Sequence, residues 1–225
     1  MNKAWDIGYR KVSVPQQSPD STWTIEYVRD FLYAPDVVTN PEWRTLRVST
    51  MNIERGWYYV ASLPQFGPLK SLFAHTFIGF EWTNGIRLGL SIEARRHKNE
   101  PYDPFIRGMT GAYELTFLWG TLNDFENRRL KFQEQTLERY PLTVTKEKLA
   151  ALFKTACRNT NRTIEKPERY NTISNQCTNA LMRLFNMEEA RPIVPWHIHW
   201  HLTGLSPRLL AMHGLVDLSK KETLR

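Results

Sequence analysis

The stretch Leu72-Phe73-Ala74-His75-Thr76-Phe77-Ile78-Gly79-Phe80-Glu81-Trp82-Thr83-Asn84-Gly85-Ile86-Arg87-Leu88-Gly89-Leu90-Ser91-Ile92-Glu93-Ala94-Arg95 decides the fold. Two strand-like runs flank Asn84-Gly85, a strong hairpin signal. If Asn84 and Gly85 alone form the loop, Thr83 faces Ile86 and every face mixes polar with apolar residues. If the loop is Thr83-Asn84-Gly85, with Gly85 left-handed, Trp82 faces Ile86. One face then carries Ala74, Thr76, Ile78, Phe80 and Trp82 against Ile86, Leu88, Leu90, Ile92 and Ala94. The other carries His75, Phe77, Gly79 and Glu81 against Arg87, Gly89, Ser91 and Glu93. Burial of one face selects the second register. It pairs Glu81 with Arg87 and Gly79 with Gly89, and it sets His75 opposite Glu93. Cβ atoms in such a pair lie about 4.5–5.5 Å apart, close enough for a carboxylate to hold an imidazole. The same geometry describes an ordinary cross-strand ion pair on a solvated face. The facing glycines leave a hollow in which a helix or a substrate can lie.

Outward from this hairpin, Trp23 to Tyr33, Trp57 to Leu63 and Tyr113 to Trp119 are rich in aromatic and β-branched residues and read as strands. Pro64 to Pro68 reads as a turn. Lys146 to Arg162 places Leu149, Leu152, Phe153 and Ala156 at helical spacing, with Thr145 as N-cap and Pro167 as the stop. A second helix is predicted from Cys177 to Asn186, and a short one near Leu209. Strands grouped before helices predict one α+β domain over residues 1–225 with a mostly antiparallel sheet, residues 1–20 being an irregular extension.

The chain has 225 residues, 41% hydrophobic and 24% charged, which suits one globular domain. It contains no apolar run long enough for a membrane span, and its start has no secretory h-region. It therefore reads as an intracellular protein or as a domain of a longer chain. The net charge of +7 favours anionic partners. The basic residues, among them Arg96, Arg128 and Arg129, are scattered and accompany no nucleic-acid motif, so they read as a solvated surface and no nucleic-acid partner is expected.

Two cysteines cannot make a disulfide framework. Cys157 falls mid-helix beside the Leu149/Phe153 stripe and reads as a small buried hydrophobe. Cys177 differs. Tyr170-Asn171-Thr172-Ile173-Ser174-Asn175-Gln176 runs polar residues directly into the helix, so Ser174 or Asn175 is the expected N-cap and Cys177 falls in the first turn. Free backbone N–H groups and the helix dipole stabilise a thiolate there, and the same groups suit an oxyanion. A Cys at a helix start and a His held by a carboxylate form the nucleophile, base and orienter of thiol catalysis.

The segments Ala74-His75-Thr76-Phe77, Ser91-Ile92-Glu93-Ala94-Arg95, Tyr170-Asn171-Thr172 and Asn175-Gln176-Cys177-Thr178-Asn179 resemble the DUF4105 family, which includes the Lnb-type lipoprotein N-acyltransferase periplasmic domain. Tyr27 to Tyr33, Trp119-Gly120-Thr121, Pro195-Trp196 and Gly214-Leu215 extend the likeness over most of the chain. Asn-Gln-Cys stands where such proteins often have Asn-Asn-Cys, and Asp30 where Asn is common. The resemblance implies a circularly permuted NlpC/P60, papain-like arrangement with the His strand before the Cys helix. It implies a Cys177 nucleophile and a His75 base, with acyl transfer through a thioester from phospholipid to a lipoprotein α-amine. It further implies a periplasmic or cell-envelope setting and no cofactor. The wider group also contains cysteine amidases and peptidases of the cell wall, and a non-enzymatic basic module is a third reading.

In this scheme Glu93 fixes the His75 tautomer. The Cys177 N–H and the Asn175 side chain serve the oxyanion. Arg95, on the Glu93 face, either holds a substrate phosphate or balances Glu93. Tyr170 lines the site or braces the loop. His197, His199 and His201 would share one face of a strand, a geometry suited to zinc, but have no evident fourth ligand. Trp196 and Trp200 suit either a membrane surface or packing over the core.

Overall fold

The computed structural model describes residues 4–69, 72–187, 192–194 and 197–225. Its strands are β1 (Val14–Gln17), β2 (Thr22–Arg29), β3 (Leu32–Ala34), β4 (Val37–Asn40), β5 (Trp43–Ser49), β6 (Ile53–Ser62), β7 (Ala74–Trp82), β8 (Arg87–Arg95), β9 (Glu114–Thr121), β10 (Leu137–Pro141) and β11 (Glu222–Leu224). Its helices are α1 (Ile106–Met109), α2 (Leu122–Asn127), α3 (Lys146–Glu165), α4 (Cys177–Asn186), α5 (Ile198–His201) and α6 (Ser206–Met212). A π-helical turn, Arg128–Phe132, continues α2. Among the described residues one sheet runs β1-β2-β9-β8-β7-β6-β10-β11, with β5 also on β2, while β3 and β4 form a separate hairpin. Pairing is antiparallel except for a single parallel contact between β2 and β9. The domain is α+β with a mostly antiparallel sheet.

The hairpin adopts the register that separates polar from apolar residues: Gly79 pairs with Gly89 and Glu81 with Arg87. Trp82 N–H donates to the Ile86 carbonyl, and Gly85 takes φ +83°, open to glycine at little cost. The apolar face packs against α3 and α4. Phe153 stands at the centre, with its ring 5.4 Å from those of Phe80, Trp82 and Trp119. Thr145 caps α3 through the Lys148 N–H, as its residue type demands.

The opposite face is covered rather than solvated. A Cβ at Gly79 would lie 2.9 Å from Leu122, and Cβ atoms at Gly89 and Gly120 would lie 2.6 and 2.5 Å from Phe125. The glycines admit α2, which settles the choice between helix and substrate. Arg128 and Arg129 follow on the same segment and are buried, which corrects their reading as surface charge. The first twenty residues are not irregular throughout: Asp6 caps a 3-10 turn at Ile7–Tyr9, and β1 adds to the sheet edge. The His197–His201 segment forms α5, not a strand, with His197 as its N-cap.

Candidate active site

The Thr76 and Thr178 hydroxyls lie 2.9 Å apart and clasp β7 to the first turn of α4. Their sequence neighbours, His75 and Cys177, line one cavity of about 270 Å³. Glu93, Tyr9, Arg96, Arg128, Arg129, Tyr102, Tyr170 and Gln176 also stand on its wall. Cys177 is the first residue of α4, outside the helix's own ladder of amide donors. The N-cap is Gln176, one residue later than expected, in a reciprocal capping box with Asn179. Gln176 N–H donates to Asn179 Oδ1 at 3.2 Å, and the Cys177 thiol donates to Gln176 Oε1 at 3.4 Å.

His75 and Glu93 are linked through a third residue. The β7–β8 ladder ends at Phe77 and Ser91, and His75 Nε2 lies 3.9 Å from Glu93 Oε1. Ser91 Oγ sits between them, 2.7 Å from His75 Nε2 and 2.9 Å from Glu93 Oε1. Ionised Glu93 only accepts, so it takes the single Ser91 hydroxyl proton. Ser91 must then accept from His75 Nε2–H. That fixes the Nε2-protonated tautomer and leaves the Nδ1 lone pair as the basic atom.

Glu93 is heavily served. Tyr9 OH donates to Oε2 at 2.6 Å, Arg128 reaches both oxygens at 3.2 and 3.3 Å, and Arg129 reaches Oε1 at 3.3 Å. Burial alone would raise its carboxyl, but Arg128 and Arg129 outweigh burial and hold it well below the usual carboxylate range. For His75, burial is the largest influence and Arg129 adds to it. Glu93 only partly opposes them, so the imidazole falls to about 3 and is neutral at physiological pH. Burial also pushes Arg129 down to about 10, against the pull of Glu93.

A family model described as the Lnb N-terminal periplasmic domain matches residues 41–203, most of the chain. The chain belongs to this family. No curated protein and no solved structure matches it.

Within this Lnb-family domain the matched span carries His75, Ser91, Glu93, Arg96, Arg128, Arg129, Tyr170, Gln176 and Cys177, whereas Tyr9 precedes it. Tyr170 both lines the cavity and braces it: its OH lies 3.0 Å from that of Tyr102, and its N–H donates to the Tyr113 carbonyl. Asn175 does not line the cavity. Its amide donates to Glu168 and to the Arg169 carbonyl, and its oxygen accepts from Arg183. The amide beside Cys177 on the cavity wall is that of Gln176. Arg95 is also placed elsewhere: it pairs with Glu114 at 2.9 Å, donates to the Tyr9 carbonyl and stacks on Trp5.

Helical spacing keeps the three histidines off one common face, and among the described residues no group of metal-ligating side chains gathers. His201 alone of the three lines the cavity, and Trp200 is buried in the core. Pro195 and Trp196 lie outside the described residues. Cys157 is buried, and burial pushes its thiol well above its ordinary value. Among the described residues no helix is long and apolar enough to cross a membrane.

Ser91, Tyr9, Arg96, Tyr102, Arg128, Arg129 and Gln176 are among the site residues to which sequence reasoning assigned no role. Ser91 had a legible signal: it shares the polar face between His75 and Glu93.

Proposed function

We propose that this domain is a cysteine-dependent acyltransferase that carries an acyl chain as a thioester on Cys177. The donor is a phospholipid and the acceptor a lipoprotein α-amine. The carrying observation is that Cys177, His75 and Glu93 wall the same cavity, with Ser91 joining the last two. The family description, a periplasmic domain, supports an envelope setting. The chain order, His strand before Cys helix, suits a permuted NlpC/P60-like arrangement.

His75 Nδ1 takes the Cys177 proton, while Ser91 and Glu93 hold the ring and stabilise the imidazolium. The thiolate attacks the ester carbonyl carbon. The Cys177 N–H and the Gln176 side-chain amide serve the oxyanion; loss of one such donor typically costs on the order of 10²–10³ in rate. The tetrahedral intermediate collapses to the thioester, and the departing alkoxide takes the proton from His75. An amine then attacks the thioester carbonyl and gives up a proton, an amide forms, and the thiol is restored.

Intact mass after incubation with phospholipid vesicles tests the proposal. The expected result is an acyl adduct on the wild type, removed by hydroxylamine and absent from Cys177→Ala and His75→Ala. No adduct, with Cys177 no more reactive than Cys157 toward iodoacetamide, would sink the nucleophile assignment. A reactive Cys177 without an adduct would redirect the reading to a cell-wall amidase.

A further inference from the structure

Arg96, Arg128 and Arg129 line the cavity together, and among the described residues Glu93 is the one carboxylate on its wall. Three cations thus face one anion. Arg128 and Arg129 are buried, so their charge is costly to leave uncompensated. Glu93 has little acceptor capacity left, since its two oxygens already take Tyr9, Ser91, Arg128 and Arg129. The arginine contacts to it, at 3.2–3.3 Å, are longer than the about 2.7–2.9 Å of tight charge-assisted bonds. Arg96 has no carboxylate within ion-pair distance among the described residues and lies near the Tyr9 ring. The wall is therefore short of negative charge.

The remaining lining suggests what supplies it. Leu63, Phe73, Ala74 and Pro104 make part of the wall apolar. A ligand matching both parts is an amphiphile with a compact anion next to an apolar ester. Guanidinium forks match phosphoryl oxygens. In a glycerophospholipid the phosphodiester and the acyl esters hang on one glycerol, a few bonds apart. A cavity of about 270 Å³, just below the range of pockets that enclose whole drug-sized ligands, holds that head region while the chains leave through the mouth.

We propose that Arg96, Arg128 and Arg129 form a phosphate subsite that grips the phosphodiester of a glycerophospholipid and presents its ester to Cys177. The placing of the ester rests on the acyl-transfer reading; the subsite itself rests on the charge of the wall. Burial is the main reason His75 stays neutral, and Arg129 and Arg128 add to it; a bound phosphate offsets the arginines' share, which makes the imidazole a stronger base once substrate is present.

Binding to the 225-residue chain carrying Cys177→Ala, measured by calorimetry, separates the two ideas because no acyl transfer takes place. The probes are dihexanoylphosphatidylglycerol, dihexanoylglycerol without the phosphate, and inorganic phosphate. The phospholipid should bind at least tenfold more tightly than the phosphate-free glyceride. Arg96→Gln and Arg129→Gln should each weaken it at least tenfold while leaving the glyceride unchanged. Should Arg129→Gln fail to fold, Arg129→Lys, which keeps the charge but not the fork, should show an intermediate loss. Displacement of the lipid by millimolar phosphate supports phosphoryl recognition. Phosphate binding as tightly as the lipid assigns the site to a free phosphate and overturns the lipid source. Equal affinity for the two glycerides, or unchanged binding by the Arg96 and Arg129 variants, overturns the subsite. Phosphate-dependent binding without a wild-type acyl adduct would break the acyl-transfer reading and leave the subsite standing.

Discussion

Two buried arginine–carboxylate clusters draw on the same helical segment and are built differently. In the first, Asp124 of α2 takes Arg29 through contacts of 2.7, 3.0 and 3.1 Å, and both side chains are essentially without solvent exposure. Asp124 Oδ2 also accepts from the Phe31 N–H at 2.7 Å and from Tyr33 OH at 3.2 Å. One cation meets one anion, bidentate and dry. In the second, a few residues further on, Arg128 and Arg129 share Glu93 at longer distances, Arg96 stands nearby, and a cavity opens beside them. The first cluster balances its charge and locks the β2 end to α2. The second leaves a surplus next to a thiol and an imidazole. Charge balance, more than burial, separates a structural ion pair from one that belongs to a site.

Asp124→Asn should have the largest effect on the fold. It leaves Arg29 buried without its charge partner, at a cost of about 3–5 kcal/mol, read as the midpoint of urea unfolding. Glu93→Gln should cost less, because the Gln oxygen still accepts from the arginines and Arg129 keeps its bond to Gln133. If Glu93→Gln proves the more destabilising of the two, the contrast between the clusters collapses.

Ser91→Ala sharpens the comparison from the catalytic side. With the relay cut, the His75 tautomer is no longer set, and thioester formation should slow by on the order of 10² with little change in melting temperature. A rate equal to the wild type would show that Ser91 merely fills space.

Acid should destabilise the fold through the second cluster. The His75 imidazole stays neutral in the folded chain down to about 3, but gains its proton near 6.5 when unfolded. The unfolded state therefore binds the extra proton between those values, and stability falls as pH drops through that window. Glu93, whose folded carboxyl also lies well below its ordinary value, adds a loss of the same sign below about 4.5. Melting temperature should decline from pH 7 to pH 4, and His75→Gln should flatten the part above pH 4.5. A decline that His75→Gln leaves untouched would assign it to other groups.

The smallest effect is expected from Asn175→Ala. Its side chain ties Glu168, the Arg169 carbonyl and Arg183 together on the outside of the loop, so stability should change within about 1 kcal/mol and the acyl adduct should form at nearly the wild-type rate. A loss comparable to that of Ser91→Ala would return Asn175 to the oxyanion role.

Much of the hairpin was legible because its information is local. The alternation of apolar residues and the left-handed demand at Gly85 together choose one register. The extents of α3 and α4 were legible for the same reason, through the Thr145 cap, the Pro167 stop and the apolar stripe of each helix. The three histidines misled because alternation over five residues does not distinguish a strand from one turn of helix. Asn175 misled by one residue, since the N-cap fell on Gln176 and turned the preceding amide outward.

The sequence by itself thus determined the α+β class, the hairpin register, the position of Cys177 at a helix start and the family. Only the tertiary structure decided that the second sheet face is covered by α2, that Arg128 and Arg129 turn inward, and that Tyr9 reaches Glu93 across 84 positions of chain. The division has one physical cause. Periodicity, capping and turn chemistry act between neighbours along the chain and leave a pattern there. The charge balance of a cavity is instead a sum over residues brought together by packing, and no local pattern records that sum.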